Sequence, residues 1–429
     1  MNELLRPEEP VKVALIGAGN RASTLYGPLL PDLIDWVQVT ACCDPVAEHR
    51  EAMAAALGAR PYADVRDLVR DEIAEAALVV TPVPSHFGYS VYLSSHGVHN
   101  MTETSWCSLV DQGREMIRLA DDNGVVVRVA ENFFRFECDR FAQTVKDSGF
   151  LGRIGRIFSY ADHTGYHNNS RWIRLYGHPT SCQSITHAID TPSFRSQPHR
   201  FHRGETFGAN FFTFADGELV SDQLANSKGF LGRHPRPGYT EWQGDRGTLL
   251  CRAADPRPSG DGATSAFTAP GLQLRRCSDA GIDPEKGLET IRAVADEIID
   301  VAHEDEDGSW TRTYADTSAG RIEYASPFRC STYRQARTDY GPAAMSHIVD
   351  FALAVRGLQV SEFDAHDALM SLMMCVGCDE SARNDGRKIS LPLDGDTETE
   401  TEERAALTHQ HGVDPMDVEG MIAFSYARP

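Results

Sequence analysis

Two groups of residues in this chain have types and spacings that chemistry can use. The first is Gly17-Ala18-Gly19-Asn20-Arg21-Ala22, directly after the apolar run Val11-Lys12-Val13-Ala14-Leu15-Ile16. A glycine that closes a strand permits a tight turn, and a second one two residues on lets backbone approach a pyrophosphate. Ala22 is small enough for close helix–strand packing, and the helix N-terminus would face phosphate charge. Asp44 ends a second apolar run, Val37 to Cys43, about 20 residues further on, where a carboxylate accepts from adenosine ribose hydroxyls. It would repel a 2′-phosphate, so the expected cofactor is NAD rather than NADP. The second group is the close pair Cys375 and Cys378. Metal ligation there needs two further ligands that the spacing does not supply, so these read as buried thiols.

The elements around the glycine turn support a dinucleotide site. Strand signals at 11–16, 37–43, 77–80, 99–103 and 125–130 alternate with helix signals, one of them over 47–57 and stopped by Gly58. That alternation predicts a parallel sheet with helices on both faces. From Asn132 the pattern changes. A helix over 137–148 is followed by strand signals at 154–160, 181–188, 210–214, 218–224 and 248–251, which predict an antiparallel sheet. Helices return at 343–355 and 365–384. Residues 254–266 and 303–309 read as loops, and the acidic run 394–404 reads as a solvated linker. The expected fold is an α/β Rossmann domain, a doubly wound parallel sheet, plus an α+β domain. The expected boundaries are 1–135, 136–393 and a linker and tail over 394–429.

Composition narrows the partners. A formal charge of −21 opposes nucleic acid and anionic membrane surfaces. The first ten residues are acidic without an apolar core, and no run of about 18 apolar residues occurs, so a cytoplasmic protein is expected.

Several motifs in order resemble the glucose–fructose oxidoreductase and inositol dehydrogenase family, Gfo/Idh/MocA, over roughly residues 11–393. They are Ile16-Gly17-Ala18-Gly19-Asn20-Arg21, Cys43-Asp44-Pro45, Thr81-Pro82-Val83-Pro84-Ser85-His86, and Gly97-Val98-His99 leading to Glu103. The run from Glu380 to Pro392 resembles the family's last helix and strand. The resemblance implies that the second domain's sheet is large and open and builds homodimers or homotetramers. It also implies a sugar, polyol or sugar-acid substrate. By the same resemblance Gly17, Gly19, Asn20, Arg21, Asp44, Thr81, Pro82, His86, Glu103 and Asn132 would hold NAD.

The departures bear on catalysis. The family's Glu-Lys-Pro signature corresponds here to Glu103-Thr104-Ser105, so the lysine that normally helps move the proton is absent. A threonine hydroxyl hydrogen-bonds but is no base near neutral pH. The family's Asp-x-Gly-x-His motif best matches His163-Thr164-Gly165-Tyr166-His167, with a competing match at His187 and Asp190. Oxidising an alcohol requires a base, and an imidazole with a pKa near about 6.5 suits that task. His167 is the expected base, with His163 orienting or replacing it. A helix-capping role for the two histidines is the plainer alternative, and no third ligand is spaced for a metal. Arg135, Tyr166, Trp172 and Arg174 are candidate substrate contacts, although a tryptophan on a helix is more often packing. The missing lysine leaves two other readings open: an NAD-retaining lyase, hydrolase or epimerase working by transient oxidation, and a non-catalytic NAD- and sugar-binding regulator.

Overall fold

The structure, a computed structural model, describes residues 4–161, 165–197, 200–224, 239–252, 271–277, 285, 296–330 and 338–426. The first apolar run forms strand β1 (Val11–Ile16), buried except for Lys12. It lies between β2 (Val37–Cys43) and β4 (Ala76–Val79) in a parallel sheet ordered β3-β2-β1-β4-β5-β6. The other strands are β3 (Arg60–Tyr62), β5 (His99–Thr102) and β6 (Val127–Val129). The helices between them are α1 (Gly27–Leu29), α2 (Ala47–Leu57), α3 (Val65–Arg70), α4 (Val83–Ser95) and α5 (Val110–Asn123). The strand order reverses at β1, and in such sheets the ligand crevice opens beyond the carboxyl ends at that point. The glycine turn leaves β1 there.

The second unit starts with α6 (Glu137–Ser148), β7 (Ile154–Ala161) and α7 (Gly165–Tyr176). A long hairpin of β8 (Ser181–Gln197) and β9 (Arg200–Thr213) follows, then β10 (Leu219–Leu224), β11 (Tyr239–Gly244), β12 (Gly247–Arg252), β13 (Gly271–Arg276) and β14 (Glu297–Asp300). With β18 (Ile389–Ser390) they form a nine-stranded sheet ordered β14-β13-β12-β11-β7-β10-β9-β8-β18. The expected antiparallel sheet carries one parallel pair, β7 with β10, because the hairpin occupies the far side of β10. One face packs against helices through Ile157, Trp172, Phe212, Trp242 and Leu249. The other carries a stacked row of Phe158, Tyr239 and Tyr160 and exposes Ile185, Ile189 and Phe207.

Three expectations change. Residues 303–309 are not a loop: β15 (Ala302–Glu306) and β16 (Ser309–Thr317) pair there, and β17 (Gly320–Ala325) completes a three-stranded sheet. The alternation of Ser309, Thr311, Thr313 and Ala315 inward outweighed the acidic residues. Helix α8 (Tyr340–Val355), assigned by sequence to the second domain, buries Ala344, Ile348, Phe351 and Ala352 against Leu25, Leu29 and Leu78 of the first. Helix α9 (Ala365–Arg383) stays with the second core. Cys375 and Cys378 lie on it, Cys378 fully inside, while Cys138 and Cys251 are joined as a disulfide between α6 and β12.

The acidic run 394–404 is no solvated linker. It enters helix α10 (Glu398–His411), whose Thr397 cap accepts from Glu400 N at 3.1 Å. Glu398 and Glu400 occupy the first turn, where a helix dipole favours negative charge. Glu400 then turns inward to accept from Val110 N at the start of α5. Helix α11 (Val418–Ala423) lies so close to α4 that a Cβ at Gly88 would meet Val418 O at 3.2 Å. Met421 is fully buried in that contact. Met421→Ala is therefore expected to lower unfolding stability by about 2–5 kcal/mol. An unchanged denaturant midpoint would show that the tail does not pack.

Candidate active site

Gly17 turns out of β1 at φ 93°, and a Cβ there would stand 2.6 Å from Val80 O at the end of β4. Both facts require glycine. Around Gly19 nothing lies within 4 Å of the Cβ position, so the space above the turn is open to a ligand's phosphate. Asp44 braces the turn, accepting from Ala18 N at 2.9 Å and Val46 N at 2.8 Å. Each carboxylate oxygen keeps acceptor capacity for a ribose hydroxyl. Asn20 stands exposed beside the turn. The open space over Gly19 and the buried Asn132 Nδ2, which has no partner among the described residues, fit a dinucleotide.

Arg21 reaches from the turn to Glu103, just past β5, with Nε donating to Oε1 at 2.7 Å. Tyr26 donates to the same oxygen at 3.0 Å, and Arg21 also donates to Tyr340 Oη at 2.9 Å. Burial opposes the charge on Arg21, but the Glu103 carboxylate outweighs it and raises the guanidinium's pKa. Thr104, at the lysine position, donates its hydroxyl to Glu103 Oε2 at 3.3 Å. Tyr26 and Tyr340 were not legible as site residues, since nothing in their local sequence marks them.

Thr81 and Pro82 lie at the end of β4 and the start of α4, with the Thr81 hydroxyl 2.7 Å from Ser85 Oγ. His86 is a correction. It is fully buried, its ring nitrogens 2.9 Å from Ser105 O and 2.8 Å from Thr81 O, and burial lowers its pKa. It braces the two loops under the crevice rather than touching a cofactor.

His167, on the first turn of α7, sits with Nδ1 at 2.9 Å from Glu131 Oε2 and 3.2 Å from Oε1. Glu131 follows β6, its side chain wholly buried, and Oε1 also accepts from Asn132 N and Phe133 N at 3.0 and 2.8 Å. The Phe133 ring stacks on the imidazole at 4.3 Å. Burial pulls the His167 pKa down, but the charge and hydrogen bond of Glu131 pull harder, and the net direction is up. Beneath the helix, Asn168 donates to Asp222, which burial pushes up to about 6. Glu131 was missed, though its place at a strand's carboxyl end, like that of Glu103, was an available signal. His163 lies outside the described residues.

The substrate candidates fare differently. Arg135 is only 3% exposed and already committed, to Asp350 Oδ2 at 2.8 Å and to Glu362, so it is an internal tie and not a ligand for substrate. A buried guanidinium demands such partners. Trp172 is fully buried beside Arg171 in the sheet–helix core, which is the packing outcome. Tyr166 is buried, and its hydroxyl accepts from Trp106 N at 3.3 Å, so it shores up the loop after Glu103. Arg174 lies two turns along α7 from His167, over the Phe134 ring.

Comparison with known proteins bears on the first domain and on the fold. Residues 11–131 match the model of the Gfo/Idh/MocA oxidoreductase family, described as having an NAD-binding Rossmann fold. The scyllo-inositol 2-dehydrogenase (NADP(+)) of Bacillus subtilis is 26% identical over 127 residues, which are 30% of this chain and 35% of that one. An uncharacterized oxidoreductase of Schizosaccharomyces pombe is 24% identical over 36% of this chain and 42% of its own. The match thus spans less than half the length of either curated relative. Among solved structures, the WlbA dehydrogenase of Bordetella pertussis, in complex with NADH and UDP-GlcNAcA, superposes with a TM-score of 0.60 at 16% identity. That alignment covers 90% of this chain and 99% of that one. A levoglucosan dehydrogenase bound to NADH and L-sorbose superposes with a TM-score of 0.62 at 16% identity, over 90% and 100% of the two chains. These likenesses establish the two-domain fold.

Two glycine variants separate turn from cradle. Gly19→Val should leave the melting temperature nearly unchanged while abolishing dinucleotide binding, because its side chain enters only ligand space. Gly17→Ala should instead unfold more easily, since its Cβ meets Val80 O. Calorimetric titration with NAD and thermal melts of both variants check this. Retained binding in Gly19→Val would sink the assignment of the cradle.

Proposed function

We propose that this chain, whose residues 11–131 match the model of the Gfo/Idh/MocA oxidoreductase family, transfers hydride between a nicotinamide and a hydroxyl or keto carbon of a sugar, polyol or sugar acid. His167 carries the proton in place of the absent lysine. The supporting observation is the imidazole held against the buried Glu131 carboxylate at the sheet edge that also bears the glycine turn. The substrate class rests on what the relatives' names carry, inositol, L-sorbose and UDP-GlcNAcA among them.

The pyrophosphate would lie over Gly17 and Gly19, with Asn20 and Arg21 beside it and Asp44 at the adenosine ribose. Thr81, Pro82, Glu103 and Asn132 would border the nicotinamide half. When bound, the nicotinamide supplies or accepts the hydride. The chain's own residues handle the proton. Nδ1–H of His167 donates to Glu131, which fixes the tautomer, and Nε2 exchanges a proton with the substrate oxygen. Thr104 holds Glu103 by its hydroxyl and takes no proton. The open face of the second sheet, with Phe158, Tyr160, Tyr239, Ile185, Ile189 and Phe207, suits a second copy of the chain, giving a homodimer or homotetramer.

The relative from Bacillus subtilis is named for NADP(+), whereas Asp44 favours NAD here. NAD should bind at least about tenfold tighter than NADP, a difference of about 1.4 kcal/mol, by calorimetry. Equal affinities would remove Asp44 from that role. On any sugar, polyol or sugar acid the protein turns over with added NAD or NADH, His167→Ala should lose roughly 10²–10⁴-fold in kcat with dinucleotide affinity unchanged. Full activity in that variant would overturn the proton assignment. NAD that co-purifies and never shows net reduction would instead indicate transient oxidation.

A further inference from the structure

We infer that Glu131 is the positioning residue of this site, and that it favours the imidazolium of His167, so that carbonyl reduction persists to higher pH here than a free imidazole would allow. This rests on the reading of His167 as the acid–base group and adds to it a partner and a pH dependence.

The geometry carries the argument. Glu131 has no exposed side-chain surface, and the amides of Asn132 and Phe133 pin its Oε1. A carboxylate so fixed cannot turn away from the imidazole. Its Oε2 lies 2.9 Å from Nδ1, and Phe133 stacked on the ring holds the plane of the imidazole. The side chain of His167 is 17% exposed, so solvent screens the pair weakly. Glu103 and Arg21 also act on His167, in opposite directions, and these two are paired with each other at 2.7 Å. The strongest of these influences in favour of charge is Glu131. It favours the imidazolium, in line with the upward direction of the His167 pKa.

The proton then balances simply. In reduction, hydride reaches the carbonyl carbon and the C=O π pair takes a proton from His167 Nε2. One N–H bond breaks and one O–H bond forms. The nicotinamide is oxidised, the carbonyl is reduced, and a neutral imidazole remains hydrogen-bonded to the still ionised Glu131. Oxidation of an alcohol needs the imidazole at the outset, so its rate rises with pH through the His167 pKa, while reduction falls through the same value.

The test uses the full-length protein and has a readout that needs no substrate. In the cofactor-free wild type, the NMR titration midpoint of the His167 imidazole should lie above about 6.5, the unperturbed value. In Glu131→Gln the midpoint should move to lower pH, and in Glu131→Asp, which keeps the charge, it should stay above 6.5. Glu131→Gln should also lose roughly 10²-fold or more in kcat with little change in KM, and the alkaline limb of reduction should shift to lower pH with the midpoint. A wild-type midpoint at or below 6.5 would overturn the inference, even if Glu131→Gln does not fold. So would a midpoint indifferent to Glu131→Gln while His167→Ala is inactive, and the acid–base reading would then survive alone. Full activity in His167→Ala would overturn both.

Discussion

The guanidinium of Arg135 is the tie on which the arrangement of the site depends. It lies inside the protein at the junction of the two sheets, paired with Asp350 and Glu362, with Ser346 Oγ at 2.9 Å and Glu131 O at 3.3 Å from its nitrogens. Removing any partner from such a cluster strands a buried charge at a cost of several kcal/mol. The Arg135 and Arg140 guanidiniums overcome burial and hold the Glu362 carboxyl well below its ordinary range. The cluster therefore locks α8 to the short stretch that carries Glu131 and Phe133. The same helix begins with Tyr340, which takes a hydrogen bond from Arg21 of the glycine turn. The glycine turn and the Glu131–His167 pair are thus both referenced to α8, a helix that comes some two hundred residues later in the chain.

Two carboxylates stand at the ends of neighbouring strands, Glu103 after β5 and Glu131 after β6, and their surroundings give them different tasks. Glu103 is neutralised by Arg21, held by Tyr26 and Thr104, and shapes the crevice. Glu131 is anchored by backbone amides and spends its charge on one imidazole. Environment rather than residue type divides the roles. A lysine beside Glu103 would add a cation close to this imidazole and oppose its protonation. With threonine at 104 that position carries no such cation, and its hydroxyl serves Glu103 instead.

The C-terminal segment shows how a charged sequence can be structured. Acidic residues at 398 and 400 suit the first turn of a helix, and buried Met421, together with the bonds from Val110 N to Glu400 and from Gln112 Nε2 to Pro415 O, seats the segment on α4 and α5. Its Glu400 closes the N-terminus of α5, just after the loop that bears Glu103 and Thr104. The tail thus supports the site from outside.

The sequence by itself determined the parallel sheet, the glycine turn and its carboxylate, because strand periodicity, a required φ above zero and a residue at a strand end are local properties. It also determined that Thr104 could not do a lysine's work, since that follows from functional-group chemistry alone. Only the tertiary structure decided which charges meet. Arg135, read as a ligand for substrate, is consumed by Asp350 and Glu362, and Trp172 is consumed by the core. Glu131 acquires its meaning only when α7 lays His167 against it, 36 residues along the chain. Contacts between distant segments depend on how helices pack, and packing is a property of the assembled core that no window of sequence contains.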